Sequence, residues 1–312
     1  MDVKSKKSGF TVVELLTVLA IVSMLVGLLV PALNLVRNIA KETKQKAQLT
    51  TIGLALTAFR DDYGEYPPSD WFPQPPQNQY CGAQKLAEAL LGWDLLGFHP
   101  KSAWRADGLD GIAPPGLLTY DPPKTRDVDP PDGVPDTLNE RRGPYLELAT
   151  ANAFRLGVNP ARPDPEGLFN NMITPLHPDT FVICDVFGVK KITLPPPMPG
   201  GKRDVFNAGT PILYYRANPS RKTIEPPATP YDRIYNCLDN QALIELKRLP
   251  DQTKDHRLGD QRNVFQFFYA EYIRDPKITA KPWPYRPDSY LLISAGLDGE
   301  YGTNDDICNF GN

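Results

Sequence analysis

Two sets of residues in this chain have the types and spacing to do chemistry. The stretch AGLDGEYGTNDDI, Ala295 to Ile307, sets Asp298, Asp305 and Asp306 among three glycines. Glycines let a backbone wrap tightly and turn its carbonyls inward. With carboxylates they form the oxygen-only shell of about six to eight ligands that Ca²⁺ takes. Asp298 and the Asp305–Asp306 pair would close one such loop; the same residues would also make a solvated acidic turn. The second set is a single acid, Glu14, near the start of the apolar run Phe10–Leu33. A carboxylate in apolar surroundings is costly, and tolerable when an ammonium neutralises it. Glu14 therefore needs a partner.

Elsewhere the pattern excludes more than it suggests. Asp127-x-Asp129-x-x-Asp132-Gly133-x-x-Asp136 approaches a calcium loop. Its spacing is off by one residue and Pro130-Pro131 stiffens it, so it reads as a solvated acidic loop. His99, His177 and His256 are scattered, with no metalloprotease, nucleophile-elbow or phosphate-loop motif, and nothing recommends an enzyme. Cys81, Cys184, Cys237 and Cys308 contain no CxxC pair, which disfavours zinc or thioredoxin chemistry. In an exported domain they could form disulfides, in any of about three full pairings, or stay as free buried thiols. A net charge of −3 leaves no electrostatic footprint for nucleic acid.

The elements that must position these residues begin with one helix. Phe10–Leu33 is long enough to span a bilayer core. Lys4, Lys6 and Lys7 ahead of it place the N-terminus on the cytoplasmic side. No small-residue cleavage site follows the run, as a secretory signal would require. Beyond Pro31, which should kink it, the helix is expected to continue to about Arg60, on the order of 75 Å in all. Leu33, Val36, Ala40, Thr43, Ala47, Thr50, Leu54 and Ala58 form its stripe, and Ile52, Leu56 and Phe59 widen the apolar face near its end. Gly64 and Pro67 stop it. Further on, Ala83–Trp93 reads as a helix with Leu86, Leu90 and Leu91 inward, and Tyr145–Leu156 as a helix or irregular segment. Phe181–Asp185, Ile212–Arg216 and Tyr290–Ser294 read as strands. Asn236–Leu249 has helical spacing, and the aromatic run Asn263–Ile273 fits either a helix or a strand. With 34 prolines, about twice the usual frequency, the rest is loop-rich.

Lys6-x-x-Gly9-Phe10-Thr11-x-x-Glu14-Leu-Leu resembles the leader of type IV pilins and of the pseudopilins of type II secretion systems. The segment IGLALTAFRDDYGEYP and the C-terminal acidic loop are similar to the major pseudopilin in particular. The resemblance implies a leader over 1–9, cut by a prepilin peptidase after Gly9 with methylation of Phe10. A transmembrane helix would follow over 10–33, then a stem over 34–62. An exported globular domain would occupy 63–312, with an insertion over about 69–211. It implies an α+β fold in which the long N-terminal helix packs on a small antiparallel sheet with large loop insertions. Glu14 would pair with the amine of a neighbouring subunit as the chains assemble into a filament on an inner-membrane platform. The C-terminal loop would bind Ca²⁺, with side-chain oxygens from Asp298, Asp305 and Asp306, carbonyls near Ala295 and Glu300, and Thr303. The other readings are a minor or competence-type pilin, and a membrane-tethered binding or hydrolytic domain carrying the same leader.

Overall fold

The computed structural model describes residues 11–71, 80–108, 119–120, 137–158, 166–170, 172, 175–194, 201–225, 228–259 and 266–311. The chain divides into two units, Met1–Thr43 and Lys44–Asn312. The first helix, α1 (Val12–Tyr63), contributes to both and runs through Pro31 without interruption. Within the first unit α1 is all of the described structure. From Val12 to Ile39 every large apolar side chain on it is exposed, each by 44% or more. This is a helix long and apolar enough to cross a membrane.

In the second unit, the rest of α1 buries Gln45, Leu49, Ile52, Ala55, Leu56 and Phe59. That face corrects part of the expected stripe, since Ala47, Thr50, Leu54 and Ala58 all lie exposed. The expected stripe starts at Leu33, the end of a run whose described apolar side chains are exposed and select no face. Packing instead selects the face with the larger side chains, Leu49, Ile52, Leu56 and Phe59. The helix stops as expected: Gly64 takes φ +83° and its N–H bonds the Arg60 carbonyl at 2.7 Å.

After α1 come α2 (Gly82–Leu91), α3 (Leu148–Ala151), β1 (Ala153–Arg155), β2 (Phe181–Ile183), β3 (Lys190–Leu194), β4 (Asp204–Ala208), β5 (Leu213–Arg216), α4 (Gln241–Ile244), β6 (Tyr290–Ser294) and β7 (Ile307–Cys308). These strands pair antiparallel: β1 with β2, β3 with β4, and β6 between β5 and β7. Every residue of β6 is buried, and the two faces of its sheet feed two cores. Tyr214 and Leu292 pack with Ile52 and Leu56 of α1 and with Leu86 and Leu90 of α2. Leu213, Tyr215, Leu291 and Ile293 pack with Tyr235 and Phe268. This is the α+β arrangement of a long N-terminal helix and small antiparallel sheets.

Several segments differ from expectation. Tyr145–Leu156 holds only the single turn α3, ended by left-handed Asn152, before β1 begins. Asn236–Leu249 is a 3₁₀ turn followed by the short α4 rather than one helix. The aromatic run resolves into a π-helical turn, Phe267–Tyr272, burying Phe268 and Tyr269. Lys190–Leu194, expected within an insertion, pairs with Asp204–Ala208 along its whole length. Helix α2, in the same expected insertion, is buried throughout; its Glu88 carboxylate accepts from Tyr80, Ser102 and Tyr120. All four cysteines are free thiols, three of them buried. Asp127 to Asp136 lie outside the described residues.

One buried acid ties these pieces together. Asp185, after β2, accepts from the N–H groups of Phe187 and Thr210, both at 3.1 Å, and from Ser294 Oγ of β6 at 3.2 Å. Burial pushes its carboxyl up to about 7, from 3.8 in an open chain. Between those values the folded state holds a proton that the unfolded chain has released, so stability falls as pH rises through that window. The contribution is on the order of 4 kcal/mol for a shift of roughly three units. Asp185→Asn, whose amide can replace the protonated acid, should therefore fold and melt with a weaker loss between pH 4 and pH 7 than wild type. An unchanged pH slope would refute this role. Leu56→Ala should cost about 2–5 kcal/mol, and Leu54→Ala, on the exposed face, no more than about 0.5. Denaturant melts of the two variants distinguish the faces.

Candidate functional site

In the first unit, Glu14 sits in the first turn of α1. Its carboxylate Oε2 accepts from the Thr11 N–H at 2.9 Å and from Thr11 Oγ1 at 2.8 Å, while Thr11 Oγ1 accepts from the Glu14 N–H at 3.2 Å. This reciprocal pair is a capping box, which satisfies donors that the start of a helix leaves open. Thr11-x-x-Glu14 directly before an apolar run is also the sequence signature of that cap, which the need for an ammonium partner leaves out of account. Glu14 thus has a partner within its own chain. Gly9 and Phe10 lie outside the described residues.

In the second unit, the C-terminal loop joins β6 to β7, two neighbouring antiparallel strands. Gly296, Gly299 and Gly302 all have positive φ. At Gly296 a Cβ would collide with the backbone of Asp305, so this glycine lets the two ends of the loop close. The closure brings Asp298, Thr303 and Asp305 together. Asp305 Oδ2 accepts from the Asp298 N–H at 3.0 Å and Oδ1 from Thr303 Oγ1 at 2.5 Å. Asp298 Oδ1 accepts from the Glu300 N–H at 2.7 Å, and Thr303 Oγ1 lies 3.3 Å from the Glu300 carbonyl.

The remaining expected ligands are engaged elsewhere. Asp306 Oδ2 accepts from the Gly302 N–H at 2.7 Å and from the Tyr272 hydroxyl. Its Oδ1 is buried with no hydrogen-bond partner. The Glu300 side chain pairs with Arg248 Nη1 at 2.6 Å, and Arg248 Nη2 donates to the Asp298 carbonyl at 2.5 Å. Ala295 is fully buried. Among the described residues, no three acid, imidazole or thiol groups converge as a ready metal cluster. The donor set nevertheless fits a hard cation: the loop offers oxygen alone, and Asp306 Oδ1 is an orphaned buried acceptor. Arg248 and Tyr272 carry no local signal in the sequence, because they reach the loop from 50 and 34 residues away.

The electrostatics follow the geometry. Burial lifts the Asp298 carboxyl above its ordinary value, and the Asp305 charge adds to the rise. Burial pushes Asp305 the same way, but hydrogen bonds from Thr303 and the Asp298 N–H prevail and hold it low. Burial pushes Asp306 up to about 7 against the bonds from Tyr272 and Gly302. Such a loop tolerates its own acids only by spending backbone and hydroxyl donors on them.

Residues 4–30 match the prokaryotic N-terminal methylation motif. The match takes in Gly9, Phe10 and Glu14 and most of the apolar helix, and it marks the segment as type IV pilin-like, with the leader that prepilin peptidase processes. Neither a curated protein nor a solved structure matches the chain.

The loop geometry makes a graded prediction. Gly296→Ala combines a positive φ with a backbone collision and should destabilise by about 3 kcal/mol or more. Gly64→Ala, where φ is positive but a Cβ would meet nothing within 4 Å, should cost only about 1–2 kcal/mol. Equal losses in thermal melts of the two variants would contradict the tight closure at Gly296.

Proposed function

We propose that this chain is a structural subunit of a pilin-like filament, of the pseudopilus kind found in type II secretion. The observation that carries the reading is the coincidence of the methylation motif over residues 4–30 with an apolar stretch of α1 whose large side chains are exposed from Val12 to Ile39. Proteins with this motif are structural rather than catalytic, and the helix fits a single-pass membrane anchor. In this reading the globular unit lies outside the cytoplasm and cleavage after Gly9 frees the amine of Phe10. The helices, already apolar all round, then exchange lipid contacts for one another.

Glu14 is the switch point of that exchange. In the single subunit Thr11 holds its carboxylate, so the acid can sit at the start of an apolar helix. In the filament the ammonium on Phe10 of a neighbour would offer a charge-assisted bond, stronger than the neutral hydroxyl it displaces. Glu14→Ala should therefore insert in the membrane as well as wild type but assemble poorly. Filament yield by electron microscopy, alongside membrane fractionation, checks this. Normal yield from Glu14→Ala would remove the residue from assembly.

The same reading gives the C-terminal loop a Ca²⁺ ion, held by Asp298 and Asp305, with Thr303, the carbonyls near Ala295 and Glu300, and Asp306 as the remaining oxygen donors. The ion would supply positive charge where the loop now uses its own N–H groups. A ligand bound only by the folded form stabilises it by about 2.7 kcal/mol at a hundredfold excess over Kd. The full chain in detergent should accordingly melt several degrees higher in millimolar calcium than in chelator. Asp298→Ala and Asp305→Ala should lose that shift, and Asp132→Ala should keep it. An unchanged wild-type melt, or a shift lost only in Asp132→Ala, would refute the site.

A further inference from the structure

A polar cleft of about 450 Å³ opens in the second unit where the segment after α1 meets the chain following β5, with Arg233 among the residues that line it. Arg233 is buried, with only 7% of it exposed. Its guanidinium stacks over the Tyr269 ring, 4.1 Å from the centroid. Its Nε is buried with no hydrogen-bond partner, and among the described residues no carboxylate pairs with it. The ring face favours the positive charge but accepts none of its N–H donors in the plane. A buried cation in that state is costly unless an anion completes it.

The other charges along the cleft are already ion-paired or hydrogen-bonded. Arg216 pairs with Glu65 at 2.6 Å and Arg221 with Asp232 at 3.1 Å. Asp70 faces Lys85 at 3.8 Å. Asp239 accepts from Ser69 Oγ at 2.5 Å and from the Trp71 N–H at 3.3 Å, and burial pushes it up to about 7. Arg233 is the one arginine on the lining with no carboxylate beside it among the described residues. Two carboxamides line the same cleft with their oxygens committed: Asn218 Oδ1 accepts from Ser220, and Asn236 Oδ1 from the Leu238 N–H. Their NH₂ groups remain as donors. What the cleft presents unpaired is therefore one guanidinium and a set of N–H groups, which suits a ligand of acceptors with a single negative charge.

We propose that this cleft is a binding site for a carboxylate-bearing ligand, whose carboxylate pairs with Arg233 and whose remaining oxygens accept from Asn218 and Asn236. A planar guanidinium suits a planar carboxylate through paired N–H bonds. A phosphate dianion would need a second uncommitted cation, and Arg216 and Arg221 are both engaged. Trp71 and Tyr231 on the lining offer flat faces to the body of the ligand. Peptide carboxylates and uronic acids share this chemistry. The site stands apart from filament assembly and from the C-terminal loop, and does not depend on either.

The test is a ligand-observed NMR titration of the full chain in detergent with N-acetyl-dialanine and galacturonate. Their neutral counterparts, N-acetyl-dialanine amide and galactose, and inorganic phosphate serve as comparisons. At least one acid should bind at least about tenfold more tightly than its neutral counterpart, the scale of one charge-assisted bond. The acid that binds better identifies the source of the carboxylate. Arg233→Gln should abolish the preference for acid over neutral. Asn218→Ala, at an exposed position, should still fold, losing only its turn bonds to Ser220, and weaken the better acid roughly threefold; it decides the matter if Arg233→Gln does not fold. Equal binding of acid and neutral forms, phosphate binding tighter than both acids, or acid binding unmoved by Asn218→Ala together with an unmoved or unfolded Arg233→Gln would each overturn the assignment.

Discussion

The large apolar side chains from Val12 to Ile39 are exposed along the helix, and water is a poor solvent for them. At roughly 25 cal/mol per Å² of apolar surface, so long a run gains from any apolar cover, and it is long and apolar enough to cross a membrane. That constraint sets the organisation of the chain. A helix is one of the two structures that satisfy their own backbone in lipid, which suits α1 to that setting. Further along, the same helix must meet a protein core, and its sequence changes accordingly from uniformly apolar to one-sided. The acid at its start is the exception, and Thr11 makes it tolerable with two hydrogen bonds that a cap provides anyway.

The second unit solves a different problem. Its strands are short, three to five residues apart from the two-residue β7, so hydrogen-bonded ladders alone do not hold it. Buried polar side chains bridge the pieces instead. Gln45 and Gln48 of α1 bond Val186 N–H and the Cys184 carbonyl beyond β2. Asn240 joins the start of α2 to β5, accepting from the Ala83 N–H and donating to the Tyr214 carbonyl. Asp185 joins three segments. These groups place the β6–β7 connection, and with it the acidic loop, at the edge of a sheet buried on both faces. The loop is thereby held at its two ends, while its acids are left to be balanced by whatever donors or cation they meet.

What the sequence made legible were features with local physical causes. The length of α1, its stop at Gly64, helix α2 and strand β6 follow from apolar periodicity and from glycine and proline punctuation. The phase of the docking face was harder, because Ala47, Thr50, Leu54 and Ala58 also repeat at helical spacing and only the sheet decides between two faces. Short elements escaped for the same reason: one turn of helix at Leu148–Ala151 and the hairpin of β3 and β4 carry too few residues for a pattern. In the acidic loop the glycines and aspartates announced a tight, oxygen-rich turn. The parts played by Arg248 and Tyr272, and the unpaired Arg233, arise from tertiary placement and leave no local trace.

The central claim is that the N-terminal segment is a pilin-type leader followed by an assembly helix. Intact-mass and N-terminal analysis of the chain coexpressed with a prepilin peptidase tests it most directly. The account predicts loss of Met1–Gly9 and a mature chain beginning at methylated Phe10. An intact leader, or cleavage only beyond Leu33, would contradict it.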